Sequence, residues 1–168
     1  RDFNMFAGKG DYAFALRCSG NNNVGFHIYA GGSWRPIEYV MTAEEKNNWY
    51  DQEHQILGLY DAENNLIQLY VDGALKEEVQ TNTTSGVAHS DYNLIIGACP
   101  DTGRTSSTDF ENIRVYNKAL SEDEVAGQYA DNPAITADNE AVELWVDFEN
   151  ITYDGKEEPV EPPVETFD

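Results

Sequence analysis

The chain has 168 residues, with 31 Asp and Glu against 10 Lys and Arg, and a formal net charge of -21. This length fits one domain with a substantial core, and the negative surface excludes nucleic acid and anionic membranes as expected partners. No apolar run is long enough to span a bilayer.

Alternating apolar and polar residues predict a series of short strands along most of the chain. They are separated by turn signals such as Gly31-Gly32 and Asp72-Gly73. The predicted strands cover residues 11–18, 24–29, 34–40, 54–60, 66–71, 74–80, 92–98, 109–116 and 142–148. This pattern indicates an all-β fold, an antiparallel two-sheet sandwich.

One helix is predicted after the last of the central strands. Ser121 and Glu124 form a capping box, in which each side chain bonds the backbone amide of the other residue. The helix should run over Glu122–Ala130, because it must end before the Asn132-Pro133 pair.

The pentapeptide DFENI occurs twice, at residues 109–113 and 147–151. The residues around the two copies share nothing else. We interpret the repeat as two strands with similar edge chemistry rather than a duplicated domain. Its carboxylates either hold a cation or face solvent.

Residues 1–154 are predicted to form the domain, and the acidic, Pro-rich residues 155–168 are predicted to form a linker to a following domain. The chain is therefore expected to be a piece of a larger protein.

The chain has two cysteines. Cys18 continues a core-facing alternation and Cys99 follows a strand. Two buried free thiols are favoured, and a disulfide stays open.

Residues 109–125, DFENIRVYNKALSEDEV, resemble the closing signature of LamG-like jelly-roll domains, which belong to the concanavalin A-like sandwiches. Residues 57–61 and 66–73 resemble the central hairpin of that family, and residues 91–97 resemble its following strand. The resemblance implies a jelly-roll sandwich.

A narrower resemblance covers residues 7–16 and 24–29 together with Trp34, which are similar to LamG-type accessory modules of large bacterial β-galactosidases. It implies carbohydrate binding. Family members usually begin with an apolar strand containing Trp, which this chain lacks before residue 9. Residues 142–148 are expected either to replace that strand or to lead into the linker.

Catalysis is not expected of this domain. The carboxylates Glu143, Asp147 and Glu149 share a predicted strand face, but their spacing does not match a sandwich-fold glycosidase pair. The three histidines, His27, His54 and His89, do not have zinc-site spacing.

Sugar binding is the function that the aromatic residues favour. Trp34 stands beside the Gly-Gly turn, where a core role explains it poorly. If the strands over 11–18 and 24–29 are neighbours, Asp11, Arg17, His27 and Tyr29 share one sheet face near Trp34. The alternative is that this face is half of a two-sided core, or is simply solvated.

Two further tryptophans are candidates. Trp49 precedes the central hairpin, where the family often uses a Trp for packing, so a core role is the alternative. Trp145 is flanked by acidic residues and serves either as a sugar platform or in sheet packing.

The family resemblance also implies a structural calcium ion near the rim of the sandwich. Oxygen ligands are concentrated in residues 101–109 and 147–150, but the sequence does not single out the ligands.

The expected function is therefore a monomeric, non-catalytic module that binds β-galactosides such as lactose. Its expected setting is a secreted or cell-wall-attached bacterial glycoside hydrolase. A structural or adhesive module that contacts other domains or a host protein is the alternative, and a catalytic glycosidase of lectin fold comes third.

Overall fold

The computed structural model describes residues 3–10, 13–20, 23–50, 52–98, 105–130 and 142–147. Only the backbone is described for residues 3, 4, 19, 142, 143 and 145–147. Within these ranges the strands are β1 (Phe3–Gly8), β2 (Phe14–Ser19), β3 (Asn23–Ala30), β4 (Ser33–Val40), β5 (Ile56–Asp61), β6 (Leu66–Val71), β7 (Ala74–Gln80), β8 (Ile95–Ile96), β9 (Asn112–Tyr116) and β10 (Val142–Asp147). The helices are α1 (Ala43–Asn47) and α2 (Glu122–Ala130).

The strands form an antiparallel sandwich, as predicted. One sheet has the order β4-β3-β2-β1-β8 and a second has the order β5-β6-β7. A two-stranded ribbon pairs β9 with β10.

The core lies between the five-stranded and the three-stranded sheets. Alternate residues of β3, among them Phe26 and Ile28, pack with Ile67 and Leu69 of β6 in one buried cluster. The layers approach each other closely at Gly58 of β5, where an added Cβ would lie only 2.2 Å from the Phe26 ring. A side chain at position 58 would therefore force the sheets apart.

Helix α2 covers the other face of the three-stranded sheet. Its Val125 is fully buried against Leu59 and Tyr70. The predicted capping box is present: Glu124 N donates to Ser121 Oγ at 3.3 Å, and Ser121 N donates to Glu124 Oε2 at 2.9 Å. Helix bounds and cap both match the sequence prediction.

The main differences from the prediction concern β1, α1 and β8, and β9 begins at Asn112 rather than at residue 109. The expectation that the chain lacks a strand before residue 9 was wrong: β1 lies there and pairs with both β2 and β8. Strand β10 pairs with β9 and therefore does not replace it. Helix α1 was also missed, although Thr42 and Glu45 form a second capping box at its start. The strand predicted over 92–98 is reduced to Ile95–Ile96, and it ends before Gly97, which has a left-handed φ of 75°.

Strand β10 follows α2 in the chain but pairs with β9, which precedes it. Asp147, the first residue of the second DFENI copy, is in register with Asn112, the fourth residue of the first copy. Residues 109–111 of the first copy precede β9 and are not in a strand, so the prediction that this copy forms a strand holds only for Asn112 and Ile113. Residues 142–147 are thus part of the fold and do not simply lead into a linker. Residues 148–151 of the second copy lie outside the described ranges.

Cys18 is a free thiol on the inward side of β2, opposite Val24. It is half-buried rather than buried, and desolvation raises its pKa. Cys99 and the predicted linker lie outside the described residues. Neither described helix is long and apolar enough to cross a membrane.

Candidate functional site

One face of the five-stranded sheet turns away from the core cluster between the sheets. We call it the outer face, formed by Met5, Ala15, Arg17, Gly25, His27, Tyr29, Trp34, Pro36 and Glu38. Met5, Ala15 and His27 on this face are buried, whereas Trp34 is exposed. The registers bring these residues together: Arg17 pairs with Gly25, and Gly25 pairs with Glu38 on the next strand. Their neighbours in sequence, such as Phe26 and Ile37, belong to the core cluster, so alternation along each strand separates the two faces.

The aromatic end of the outer face is built by the hairpin between β3 and β4. Gly31 and Gly32 both have positive φ, of 59° and 79°, which suits a two-residue turn. The turn sets Trp34 directly opposite Tyr29, with ring centroids 5.6 Å apart and planes at 81°. The Tyr29 hydroxyl donates to Gly32 O at 2.8 Å, which fixes the phenol. Trp34 stays 39% exposed, so part of its ring is open to a ligand.

The polar end of the outer face is a hydrogen-bonded row across three strands. Arg17 Nη2 lies 3.2 Å from His27 Nδ1, and His27 Nε2 lies 3.1 Å from Glu38 Oε1. Asn23 Nδ2 donates to Glu38 Oε2 at 3.4 Å. The row therefore places the His27 ring between the Arg17 cation and the Glu38 carboxylate.

The electrostatics of the row keep His27 neutral. Burial lowers its pKa from 6.5 to about 4, the Arg17 cation adds to this effect, and Glu38 opposes it. Because a guanidinium only donates, Nδ1 must accept from Arg17. The ring proton is then on Nε2, which donates to Glu38.

The structure brings together four of the residues predicted for the site, Arg17, His27, Tyr29 and Trp34. Asp11 lies outside the described residues. Trp145 is in register with Arg114 on the β9–β10 ribbon, and its side chain is not described. None of this tests ligand binding, so the site stays a prediction.

Trp49 lies away from the outer face, and its contacts are those that the alternative core role predicts. It packs against the core cluster and stacks on His54, with ring centroids 3.8 Å apart and planes at 9°. His54 Nδ1 is 2.8 Å from Asp72 Oδ2, so the stack is tied to the turn after β6.

Sequence reasoning missed Glu38 and Asn23. The signal for Glu38 was available, because Trp34, Pro36 and Glu38 alternate with inward-facing residues along β4. What the sequence lacked was the register that sets Glu38 beside His27.

An open cleft runs beside the core cluster, where Phe14, Leu16 and Ile56 line it, and extends to Gln128 and Tyr129 of α2. Of the described residues predicted for the sugar site, Trp49 lines this cleft, whereas Arg17, His27, Tyr29 and Trp34 do not.

No group of three or more potential metal ligands occurs among the described residues. The calcium prediction falls largely outside them, since residues 101–104 and 148–150 are not described. Calcium binding thus stays a prediction.

A family profile described as the concanavalin A-like lectin/glucanases superfamily matches residues 2–126. The chain belongs to this superfamily. The match confirms the family expected from the DFENIRVYNKALS signature. No curated protein sequence matches the chain.

Several solved structures share the fold of this superfamily member. A proposed carbohydrate-binding protein from Bacteroides ovatus aligns with a TM-score of 0.67 and 15% identity, over 88% of this chain and 41% of that protein. The CBM40 domain of a Ruminococcus gnavus IT-sialidase aligns with a TM-score of 0.58 and 16% identity, over 76% of this chain and 74% of that domain. The binding domain of botulinum neurotoxin serotype D/C aligns with a TM-score of 0.51 and 11% identity, over 76% of this chain and 32% of that chain. The chain thus spans less than half of the Bacteroides and toxin chains.

Proposed function

We propose that this domain is a non-catalytic carbohydrate-binding module whose outer face takes a galactose-containing glycan such as lactose. The observation that carries the proposal is Trp34, a tryptophan left 39% exposed and braced edge-to-face by Tyr29. Sugars stack their apolar C–H faces on such rings, and a few convergent polar groups then fix their orientation.

The polar groups lie within reach of the same ligand. Glu38 follows Trp34 by four residues on β4, and both side chains are on the outer face, so they stand roughly 13 Å apart. That span matches a short oligosaccharide better than one sugar ring. Tyr29 and Trp34 would hold one unit and the Arg17–Glu38 end another.

The comparisons support binding of a glycan in general. Two of the similar structures, from Bacteroides ovatus and Ruminococcus gnavus, have names that refer to carbohydrate binding or to a sialidase domain. The galactose preference rests on the resemblance of residues 7–16 and 24–29 to modules of β-galactosidases. By the same resemblance, the parent protein would be a secreted or surface-attached bacterial glycoside hydrolase.

The test is a glycan array followed by calorimetric titration with lactose. We expect weak binding, because a disaccharide buries little area on an open sheet. Trp34→Ala should lower affinity at least tenfold while changing the free energy of unfolding by about 1 kcal/mol or less. Tyr50→Ala is the matched control, because Tyr50 is 66% exposed and does not belong to the outer face.

Two outcomes contradict the proposal. If the intact domain binds no glycan on the array, a module that contacts neighbouring domains or a host protein becomes the better explanation. If Trp34→Ala and Tyr50→Ala weaken binding equally, the glycan binds elsewhere on the surface.

A further inference from the structure

We propose that Arg17, His27 and Glu38 act as one unit that binds adjacent hydroxyl groups of a neutral sugar, and that Glu38 excludes sugars carrying a carboxylate. This inference rests on the proposed function and specifies its ligand class. Within the unit, Glu38 determines specificity and His27 is a positioning residue.

The exposure of His27 and Glu38 supports these roles. The His27 side chain is 10% exposed, whereas the Glu38 side chain is 33% exposed. A sugar resting on the outer face meets Glu38 before it reaches the imidazole. His27 therefore acts through its neighbours.

Gly25 makes the row possible. It lies between Arg17 and Glu38 in the register, and a Cβ there would come within 3.0 Å of His27 Nε2 and 3.2 Å of Glu38 Cγ. The absent side chain lets the imidazole lie over its own strand and reach the carboxylate on β4. Asn23 holds the other oxygen of Glu38 at 3.4 Å. The carboxylate is thus oriented before any ligand arrives, which reduces the entropy cost of binding.

The chemistry of the row suits a diol. A hydroxyl both donates and accepts, whereas a carboxylate only accepts and a guanidinium only donates. Two neighbouring hydroxyls can donate to Glu38 and accept from Arg17 at the same time. A hydrogen bond to a charged group is stronger than one between neutral groups, so this pairing is favourable.

The same row disfavours an acidic sugar. A carboxylate that approached Arg17 would face the Glu38 carboxylate across the short row, and like charges at that range repel. The cation of Arg17 is already balanced within the row by Glu38, with neutral His27 between them. The net charge of -21 adds a long-range repulsion of acidic sugars.

The experiment uses an array carrying matched neutral and uronic-acid forms of galactose, glucose and mannose, followed by titration with methyl β-galactoside and methyl β-galacturonide. We expect the intact domain to prefer the neutral form at least tenfold. Glu38→Gln should weaken binding of the neutral sugar about tenfold. It should also reduce the preference for the neutral over the acidic sugar, because it removes the repelling charge and keeps the size of the side chain.

His27 is tested with a matched pair of variants. In His27→Gln the amide nitrogen can still donate to Glu38, so affinity should stay within about threefold, whereas His27→Leu cannot donate and should lose about tenfold. Nitrogen-15 NMR of the intact domain should show the ring proton on Nε2. Thermal unfolding of each variant identifies any that fail to fold.

Equal binding of neutral and acidic sugars overturns this inference, as does an unchanged preference in Glu38→Gln or a ring proton on Nδ1. These results leave the proposed function standing if Trp34→Ala still lowers the affinity for the glycan at least tenfold. If the intact domain binds no sugar of either class, the proposed function fails and the inference fails with it.

Discussion

Replacing Gly58 by Ala is the sharpest test of how the two sheets pack. The added methyl carbon would lie 2.2 Å from Cγ of Phe26, whereas carbon atoms in ordinary contact are about 3.5 Å apart or more. The ring or the strand must therefore move by about 1.3 Å. Phe26 is 9% exposed and surrounded by the core cluster, so it cannot swing into solvent.

Overpacking of this kind costs about 3 kcal/mol. For a chain of this size that loss corresponds to a fall of about 6–12 °C in Tm, measurable by calorimetry or circular dichroism. Gly86→Ala is the control, because a Cβ at that exposed glycine has nothing within 4 Å. Its unfolding free energy should change by less than about 0.5 kcal/mol.

A double-mutant cycle isolates the contact. Phe26→Leu removes ring atoms that the new methyl would strike, so the double variant Gly58→Ala, Phe26→Leu should be at least about 1 kcal/mol more stable than the sum of the single effects predicts. Strict additivity, or a Gly58→Ala variant as stable as the original chain, would refute the close approach of β5 to β3.

The remaining predictions concern the helix cap, pH and calcium. Ser121→Ala should lower the free energy of unfolding by about 1 kcal/mol, and an unchanged Tm would contradict the cap with Glu124. The pKa of His27 is about 4 in the folded state against 6.5, so the unfolded chain binds the proton first and stability falls as pH drops from 6.5 towards 4. The free energy of unfolding of His27→Gln should fall less across that window, by about 2 kcal/mol after solvent screening. If the free energies of the original chain and of His27→Gln fall in parallel with pH, the lowered pKa is refuted. If a structural calcium is present, a chelator should lower Tm and calcium at about 100 times its Kd should restore about 2.7 kcal/mol, whereas a Tm indifferent to both excludes the site.

Much of the fold follows from local patterns in the sequence. Alternation located most strands, and the Ser121 and Glu124 spacing gave the bounds of α2. The same Thr-x-x-Glu spacing at Thr42 and Glu45 went unused, because a helix as short as α1 lacks the apolar periodicity that identifies longer ones. Strand β1 was missed because its apolar residues do not alternate, and its register is interrupted between Met5 and Ala7.

The candidate site was predictable only in part, since it depends on which strands are neighbours. The adjacency of β2 and β3 was a correct assumption, and it brought Arg17 to His27. The contribution of β4 needed its pairing with β3, which sets Glu38 beside them. The sequence does not show which of Trp34 and Trp49 is exposed. Tertiary packing decides this: the Trp34 ring is exposed, whereas the Trp49 ring stacks on His54.

The position of β10 has a consequence for synthesis and for the boundaries of expressed fragments. The superfamily match ends at residue 126, yet the strand that covers one edge of β9 begins at Val142. During synthesis on the ribosome, that edge of β9 stays uncovered until β10 has emerged, and its backbone donors and acceptors can pair with strands of other molecules. A fragment that ends with α2 would leave the edge uncovered permanently. Such a fragment should pair with a strand of another molecule or precipitate, even though it contains Arg17, Tyr29, Trp34 and Glu38.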